Sequence, residues 1–186
     1  MYQGIAFTDV PPAHPFYNEI SKLSAYRITA GCGIGSYCPD APVTREQMAI
    51  FIERAIGVPI PPTPAFQRFA DVAPQRGGYA FIEDLARRGI TVGCSASPPL
   101  YCPDSSVTRE QMAIFLIRTL GEFNPPTPDA QRFLDVGPER GGYPFIERMA
   151  ARGITFGCSG TPPLYCPDAH VTRAQMAAFL VRAFNL

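Results

Sequence analysis

Hydrophobic residues recur three and four positions apart in several stretches of the chain, a spacing that predicts helices with one buried face. The pattern is clearest after Thr108, where Met112 and Phe115 belong to one apolar stripe. Thr108 is a favoured N-cap residue, and Gln111 completes a capping box with it. Gly121 stands where a left-handed residue commonly ends a helix. The pattern therefore predicts a helix with a defined start and a defined end.

The same stretch occurs three times. Its copies start at three tyrosines, Tyr37, Tyr101 and Tyr165. The cysteine that follows each tyrosine recurs at intervals of 64 residues. A fixed period of this length is typical of repeat architectures. We therefore expect three repeats, at residues 1–60, 61–124 and 125–186.

An earlier helix is predicted in each repeat. In the second repeat Ile82 and Leu85 lie on its apolar face, and Gly89 provides the stop. The first repeat has Arg27 at the position of that glycine. A left-handed conformation strains any residue with a Cβ atom, so we expect the first helix of that repeat to end differently. One repeat cannot bury both apolar stripes alone, so an all-α fold with a shared core is predicted.

Charge and composition narrow the function classes. The net charge is zero, which argues against nucleic acid as the main partner. The sequence has no apolar run long enough for a membrane span. Lys22 is the only lysine, so arginine supplies nearly all the positive charge. Arginine suits bidentate contacts with carboxylate or phosphate groups.

Six cysteines occur two per repeat, without histidines at the spacing of a metal site. Disulfides are the better interpretation, and an oxidising compartment follows from them. Pairing within each repeat keeps the repeats equivalent. The expected pairs are Cys32 with Cys38, Cys94 with Cys102, and Cys158 with Cys166. We expect no metal and no cofactor.

Several motifs follow one another in the same order in every repeat. Each repeat opens with Phe-x-Asp-Val and later carries Pro-Asp, then Val-Thr-Arg, then Met-Ala-x-Phe. This order resembles the S-layer homology domain over nearly the whole chain. The resemblance implies a pseudo-threefold, three-pronged unit with two main helices per repeat, which anchors surface proteins to cell-wall polysaccharide, often pyruvylated. The family's Thr-Arg-Ala-Glu motif ends here in an amide, at Gln47, Gln111 and Gln175.

Three arginines are the first candidate ligand-binding residues: Arg45, Arg109 and Arg173. Each stands at the first position of a predicted helix, where the helix dipole disfavours a cation by about 0.3–1 kcal/mol. In one interpretation the guanidinium and free helix N–H groups bind an anionic group of a ligand. In the other the arginine pairs with the aspartate of the preceding turn. Those aspartates are Asp40, Asp104 and Asp168.

Two further sets of residues are candidates at the same place. The glycines are Gly31, Gly93 and Gly157, which serve a tight turn or let a sugar approach the backbone. The aspartates of the opening motif are Asp9, Asp71 and Asp135. Local hydrogen bonds that cap a turn explain these aspartates. The family resemblance instead places them near the ligand groove.

The residues do not favour an enzyme. His14 and His170 occupy unrelated repeat positions, and no serine or cysteine nucleophile has a motif around it. Two function classes remain, both extracellular and at the cell surface. The first is a non-catalytic anchor that binds cell-wall polysaccharide in grooves between repeats. The second is a self-assembling subunit of a surface layer or filament, with another copy of the chain as its partner.

Overall fold

The computed structural model describes residues 4–186 and is mostly helical. Six helices lie within this range, two in each repeat. They are α1 (Tyr17–Ala25), α2 (Arg45–Ala55), α3 (Tyr79–Arg87), α4 (Arg109–Thr119), α5 (Tyr143–Ala151) and α6 (Arg173–Phe184). The loops of the second and third repeats contain short antiparallel hairpins. Their strands are β1 (Ser95–Ala96) with β2 (Pro99–Leu100), and β3 (Ser159–Gly160) with β4 (Pro163–Leu164).

The second helix of each repeat begins at the predicted capping box. At α2 the Gln47 backbone N–H donates to Thr44 Oγ1 at 3.2 Å, and Thr44 N–H donates to Gln47 Oε1 at 3.4 Å. Both bonds recur at the starts of α4 and α6. Gly57 and Gly121 follow α2 and α4 with φ of 84° and 88°. The residues that start and stop these helices are therefore those the sequence indicates.

Helices pack in pairs that join successive repeats. α2 of the first repeat packs against α3 of the second, and α4 of the second against α5 of the third. α6 of the third repeat returns to pack against α1 of the first. Each pair forms one prong, and the third pair closes the ring. The apolar stripe of each helix is buried largely by a neighbouring repeat.

Three equivalent valines hold the centre of this ring. Val43 N–H donates to the Val171 carbonyl, Val107 N–H to that of Val43, and Val171 N–H to that of Val107, each at 2.9 Å. All three side chains are fully buried. The bonds run in one closed cycle, so the three repeats surround one pseudo-threefold axis.

Arg27 corrects one expectation. It adopts φ of 59°, close to the 74° of Gly89 and the 69° of Gly153. Helix α1 has nine residues, as do α3 and α5, so the prediction of a different ending was wrong. The backbone N–H of Ile28 donates to the Leu23 carbonyl at 2.9 Å, the bond that closes the equivalent helices. This closure fixes the left-handed conformation in spite of the side chain.

Within residues 4–186, no helix combines the length and the apolar character that crossing a membrane requires.

Candidate functional site

Disulfides close the loop that precedes the second helix of each repeat. Cys32 bonds to Cys38, Cys94 to Cys102 and Cys158 to Cys166, with Cα atoms 6.0 Å apart in each pair. The second cysteine of each pair has a left-handed backbone, with φ of 58° to 59°. In the first repeat the loop is two residues shorter, and a single bridge between Gly33 and Ser36 replaces the hairpin.

The aspartate of the opening motif braces that left-handed turn. In the first repeat the backbone N–H groups of Tyr37 and Cys38 donate to the Asp9 carboxylate at 2.8 and 2.7 Å. Asp71 and Asp135 accept the same two bonds in their repeats. Burial raises the pKa of Asp9, but the two backbone bonds and the charge of Arg173 outweigh it and lower that pKa. Both carboxylate oxygens are therefore engaged with the backbone of the loop.

Tyrosine and arginine join neighbouring repeats in a reciprocal contact. Tyr101 Oη donates to the Arg45 carbonyl at 2.8 Å, and Arg45 Nε donates to the Tyr101 carbonyl at 2.7 Å. The Arg45 guanidinium also lies over the Tyr101 ring, 4.7 Å from its centroid. The same contacts join Tyr165 to Arg109 and Tyr37 to Arg173. The hub is the set of residues Val43, Val107, Val171, Tyr37, Tyr101, Tyr165, Arg45, Arg109 and Arg173.

The three arginines are buried, and each has a buried nitrogen without a hydrogen-bond partner among residues 4–186. Only 4% to 5% of each residue is exposed. The Nη2 atoms of Arg45, Arg109 and Arg173 are the atoms without a partner. Burial lowers the pKa of Arg45, and the neighbouring Tyr101 and Asp71 partly offset this. A buried N–H donor without a partner costs about 1–3 kcal/mol, so each hub arginine keeps one unmet buried donor.

The predicted ion pairs between these arginines and the aspartates of the preceding turns need correction. Asp104 and Asp168 pair with Arg76 and Arg140, so the predicted ion pair between each helix arginine and its preceding aspartate does not form at these two positions. Asp40 likewise makes no such pair with Arg45 in the described part of the chain. The physical reason is that Arg45 extends towards the carbonyl of Tyr101, in the next repeat.

The first helix N–H groups are also occupied. Arg45 N–H donates to the Ser105 carbonyl at 2.9 Å, and Glu46 N–H to the Pro103 carbonyl at 3.0 Å. Arg109 and Arg173 have equivalent carbonyl partners in Ala169 and Ala41. The expectation that free helix N–H groups meet the ligand was therefore wrong. Carbonyl groups of the next repeat accept from these N–H donors, so the side-chain guanidinium is the remaining candidate for contact with a ligand.

Two grooves between repeats contain the candidate arginines and glycines together. The first groove, about 330 Å3, is lined by Arg173 from the third repeat with Gly31, Gln47, Phe51 and Arg54 from the first. The second groove, about 390 Å3, is lined by Arg45 with the equivalent residues of the second repeat. Those residues are Gly93, Gln111, Phe115 and Arg118. Each groove thus combines one repeat's hub arginine with the following repeat's loop and helix.

The equivalent residues of the third repeat surround Arg109, and we refer to them as the third groove. Arg109 Nε donates to the Tyr165 carbonyl at 2.7 Å, and its guanidinium lies 5.6 Å from the centroid of Phe179. Gly157 and Arg182 stand at the positions of Gly93 and Arg118. The pseudo-threefold axis therefore relates three sites.

The glycines are required by the loop itself. Gly93 has φ of 92°, and a Cβ atom there would lie 2.3 Å from the Leu100 carbonyl oxygen and 2.8 Å from the Phe69 ring. Gly31 and Gly157 meet equivalent atoms at similar distances. The tight turn alone explains these glycines, and they also form part of the groove wall.

A second arginine in each groove was not among the predicted site residues. Arg54 Nη1 donates to the Ile28 carbonyl at 3.2 Å, and Arg118 and Arg182 make the same contact with Ile90 and Ile154. The sequence could have indicated these arginines, because they recur with the same period as the hub arginines, nine residues after them. Among the described residues that line the first and second grooves there is no acidic residue.

Comparison with known proteins identifies the repeat. Residues 6–49 match the S-layer homology domain. The match covers most of the first repeat. The equivalent motifs and contacts of the other two repeats follow from the pseudo-threefold symmetry described above. Domains of this family are non-catalytic modules that anchor cell-surface proteins to the cell wall.

Two larger proteins contain similar sequences. An endoglucanase of Bacillus sp. (strain KSM-635) is 31% identical over 121 residues, which is 63% of this chain and 12% of that protein. A cell surface protein of Thermoanaerobacter kivui is 30% identical over 118 residues, 62% of this chain and 15% of that protein. The aligned part is therefore a small part of each relative. The family and the cell surface relative point to a cell-surface location, and the disulfides fit an extracellular protein.

Proposed function

We propose that the chain is a non-catalytic anchor that binds an anionic cell-wall polysaccharide in the three grooves between its repeats. The observation that carries the proposal is the charge of the grooves. The first and second grooves each contain two arginines and, among their described lining residues, no acid. The whole chain has a net charge of zero, so this local excess of positive charge is a feature of the grooves.

The hub arginines are the proposed contacts to the anion. Arg45 is held by Nε and by two aromatic rings, those of Tyr101 and Phe115 at 4.7 and 5.4 Å, while Nη2 has no partner among residues 4–186. A fixed guanidinium loses little rotamer freedom when it binds a carboxylate. A pyruvate ketal on a sugar supplies such a carboxylate. We therefore propose a pyruvylated sugar as the ligand unit, with Gly31, Gly93 and Gly157 lining its approach.

The glutamines of the capping boxes add no charge to the grooves. Gln47 uses Oε1 to accept the Thr44 N–H, and its amide lines the first groove. The S-layer homology motif has a carboxylate here, so a ligand contact through that carboxylate is absent from this chain. The aspartates Asp9, Asp71 and Asp135 support the loop from behind, with both carboxylate oxygens engaged by backbone N–H groups.

Three sites on one rigid unit suit a polymer. If a single chain of polysaccharide meets two or three grooves, the second contact forms at high effective concentration, and weak individual sites give firm attachment. The repeats that we propose, residues 1–60, 61–124 and 125–186, cannot supply a groove separately, because each groove takes its hub arginine from the preceding repeat. The anchor is therefore the assembled ring.

The test is cosedimentation with purified cell-wall polysaccharide for the triple variant R45K/R109K/R173K. Lysine keeps the positive charge and removes the guanidinium fork, so we expect at least a tenfold loss of binding. The matched control is R87K/R132K/R152K, which makes the same change at arginines outside the groove linings. Thermal melts followed by circular dichroism test whether both variants are folded.

Binding of the folded triple variant at the wild-type level would contradict the proposal. Removal of pyruvate from the polysaccharide tests the finer point, because loss of binding is expected there too. Electron microscopy of the purified chain without cell wall tests the second function class. Ordered polymers would favour a self-assembling subunit instead of an anchor.

A further inference from the structure

One position on the groove wall differs in all three repeats. It is the residue between the loop threonine and the loop glycine: Ala30, Val92 and Phe156. Ala30 lines the first groove and Val92 lines the second. The equivalent position of the third repeat therefore carries an aromatic ring where the other two repeats have a small aliphatic side chain. Phe156 is 73% exposed.

The Phe156 ring is held by an arginine of the same groove. The Arg182 guanidinium lies over this ring, 5.2 Å from its centroid, and Arg182 Nη1 donates to the Ile154 carbonyl at 3.4 Å. In the other two prongs the equivalent arginine lies over an aromatic residue of the neighbouring helix. Arg54 covers Phe81 at 5.7 Å and Arg118 covers Phe145 at 5.5 Å.

The sequence explains why Arg182 changes its partner. Phe81 and Phe145 are the third residues of α3 and α5, and the third residue of α1 is Glu19. No ring is available to Arg182 on α1, and Phe156 supplies one on the loop. A single exposed aromatic residue is ordinary on a protein surface. Phe156 differs because the Arg182 guanidinium lies over its ring.

We propose that Phe156 is a specificity-determining residue, a stacking platform that makes the third groove bind the apolar face of a hexopyranose ring whose anionic substituent contacts Arg109. The inference rests on the proposed function and names the groove that contributes most to it. Burial of apolar surface between the ring and the sugar favours binding, and we expect it to contribute a factor of about five in affinity. The three grooves are then unequal in affinity.

The experiment isolates one groove at a time. The background R45K/R173K leaves only the third groove with its hub arginine, and R109K/R173K leaves only the second. The probe is a pyruvylated hexopyranoside, with binding measured by calorimetry. F156V in the first background is expected to weaken binding about fivefold, and V92F in the second to strengthen it by a similar factor.

A tryptophan gives an independent reading. The chain contains no tryptophan, so F156W introduces a single fluorophore on the third groove and keeps an aromatic platform. Addition of the probe is expected to shift or quench its emission. Unchanged emission at a probe concentration that saturates calorimetric binding would contradict the platform.

The two proposals fail in different ways. If the wild-type chain does not bind the probe or the polysaccharide, the proposed function is wrong. If the R45K/R173K background binds and F156V binds equally well, the grooves are anchoring sites but Phe156 is not a platform. If that background does not bind while R109K/R173K does, the third groove is not the preferred site and the inference is wrong.

Discussion

The hub is alike in the three repeats, whereas the contacts around it differ from one junction to the next. At the first two junctions a glutamate of the second helix binds the start of the next repeat's first helix. Glu46 accepts the Gly78 N–H at 2.8 Å and contacts Arg76 at 2.9 Å, and Glu110 does the same with Gly142 and Arg140.

The closing junction lacks this network. Ala174, His14 and Phe16 occupy the three positions of glutamate, arginine and glycine there, and Phe16 N–H donates to His14 Nδ1 at 3.1 Å. A Cβ atom at Gly78 would lie 2.4 Å from Glu46, so the glycine and the glutamate depend on each other. The hub therefore defines the ring, and the outer ionic contacts are local additions to it.

The largest effect on the free energy of unfolding is expected from the aspartate that binds the backbone of the hub tyrosine. Asp71 accepts the N–H groups of Tyr101 and Cys102 at 2.8 and 2.7 Å, so D71A leaves two donors without a partner. We expect a loss of about 3 kcal/mol in the free energy of unfolding, measured by denaturant titration. D9A and D135A should lose similar amounts, and D71N should lose less. A loss below about 1 kcal/mol, or very unequal losses, would show that the repeats do not share one brace.

A smaller effect on the free energy of unfolding is expected in the α2–α3 prong. Of the three equivalent positions in α2, α4 and α6, only the one in α2 carries an acidic residue. Glu53 is fully buried 3.4 Å from Arg88 Nε, where α4 and α6 have Ile117 and Val181. Burial raises the pKa of Glu53 to about 7, with Arg88 opposing this and the adjacent Asp84 adding to it. Burial also acts to raise the pKa of Asp84, but bonds from Arg88 and Arg87 outweigh it and lower that pKa.

The sign of the pH dependence follows from Glu53. In the folded chain Glu53 holds its proton up to about pH 7, because its pKa is raised there, whereas in the unfolded chain it releases the proton near its ordinary pKa of 4.5. Stability is therefore expected to fall as the pH rises from 4.5 to 7, and E53Q removes this dependence. At pH 8 we expect E53Q to be more stable by about 2 kcal/mol, and at pH 4 the two proteins should melt together. Equal melting temperatures at pH 8 would contradict a buried carboxyl that prefers to be neutral.

The smallest effect on the free energy of unfolding is expected at the outer contacts between successive repeats. Arg140 contacts Glu110 at 3.0 Å and also pairs with Asp168, which is mostly exposed. R140A is therefore expected to lower the free energy of unfolding by about 1 kcal/mol. H14A at the closing junction removes one neutral hydrogen bond and should lower it by about 0.5 kcal/mol. Denaturant titration at low and high salt separates them, because only the R140A effect should shrink with salt. A larger effect of H14A would reverse the comparison.

Local signals in the sequence predicted the helices and the repeat. Thr44 with Gln47, and Gly57 after the helix, are contacts within a few residues, and the period showed that they recur. The hub could not be read in this way. Arg45 reaches Tyr101, 56 residues along the chain, and its helix N–H meets Ser105, so the partners belong to the next repeat. Local reasoning offered Asp40 as an ion-pair partner and a free helix end, and neither is found, while ligand binding by the guanidinium stays a prediction.

The sequence predicted which residues belong to the candidate site, but not which of them lie together in one groove. The period identified Arg45 and Gly93 as repeated residues, yet only the ring brings the arginine of one repeat to the glycine of the next. Arg54 was visible as a repeat of Arg118 and Arg182, but its role depends on a groove that forms when helix and loop pack. The exposed Phe156 breaks the symmetry, and the period gives no reason to single it out.

A crystal structure of the chain with a pyruvylated hexopyranoside tests the central claim most directly. The account predicts the pyruvate carboxylate within about 3 Å of a guanidinium nitrogen of a hub arginine, in a groove whose loop keeps its present backbone. The unpyruvylated parent sugar, soaked at the same concentration, should leave that guanidinium without a ligand. A glycoside bound elsewhere, or one whose carboxylate points into solvent while Arg45, Arg109 and Arg173 make no contact with it, would contradict the account.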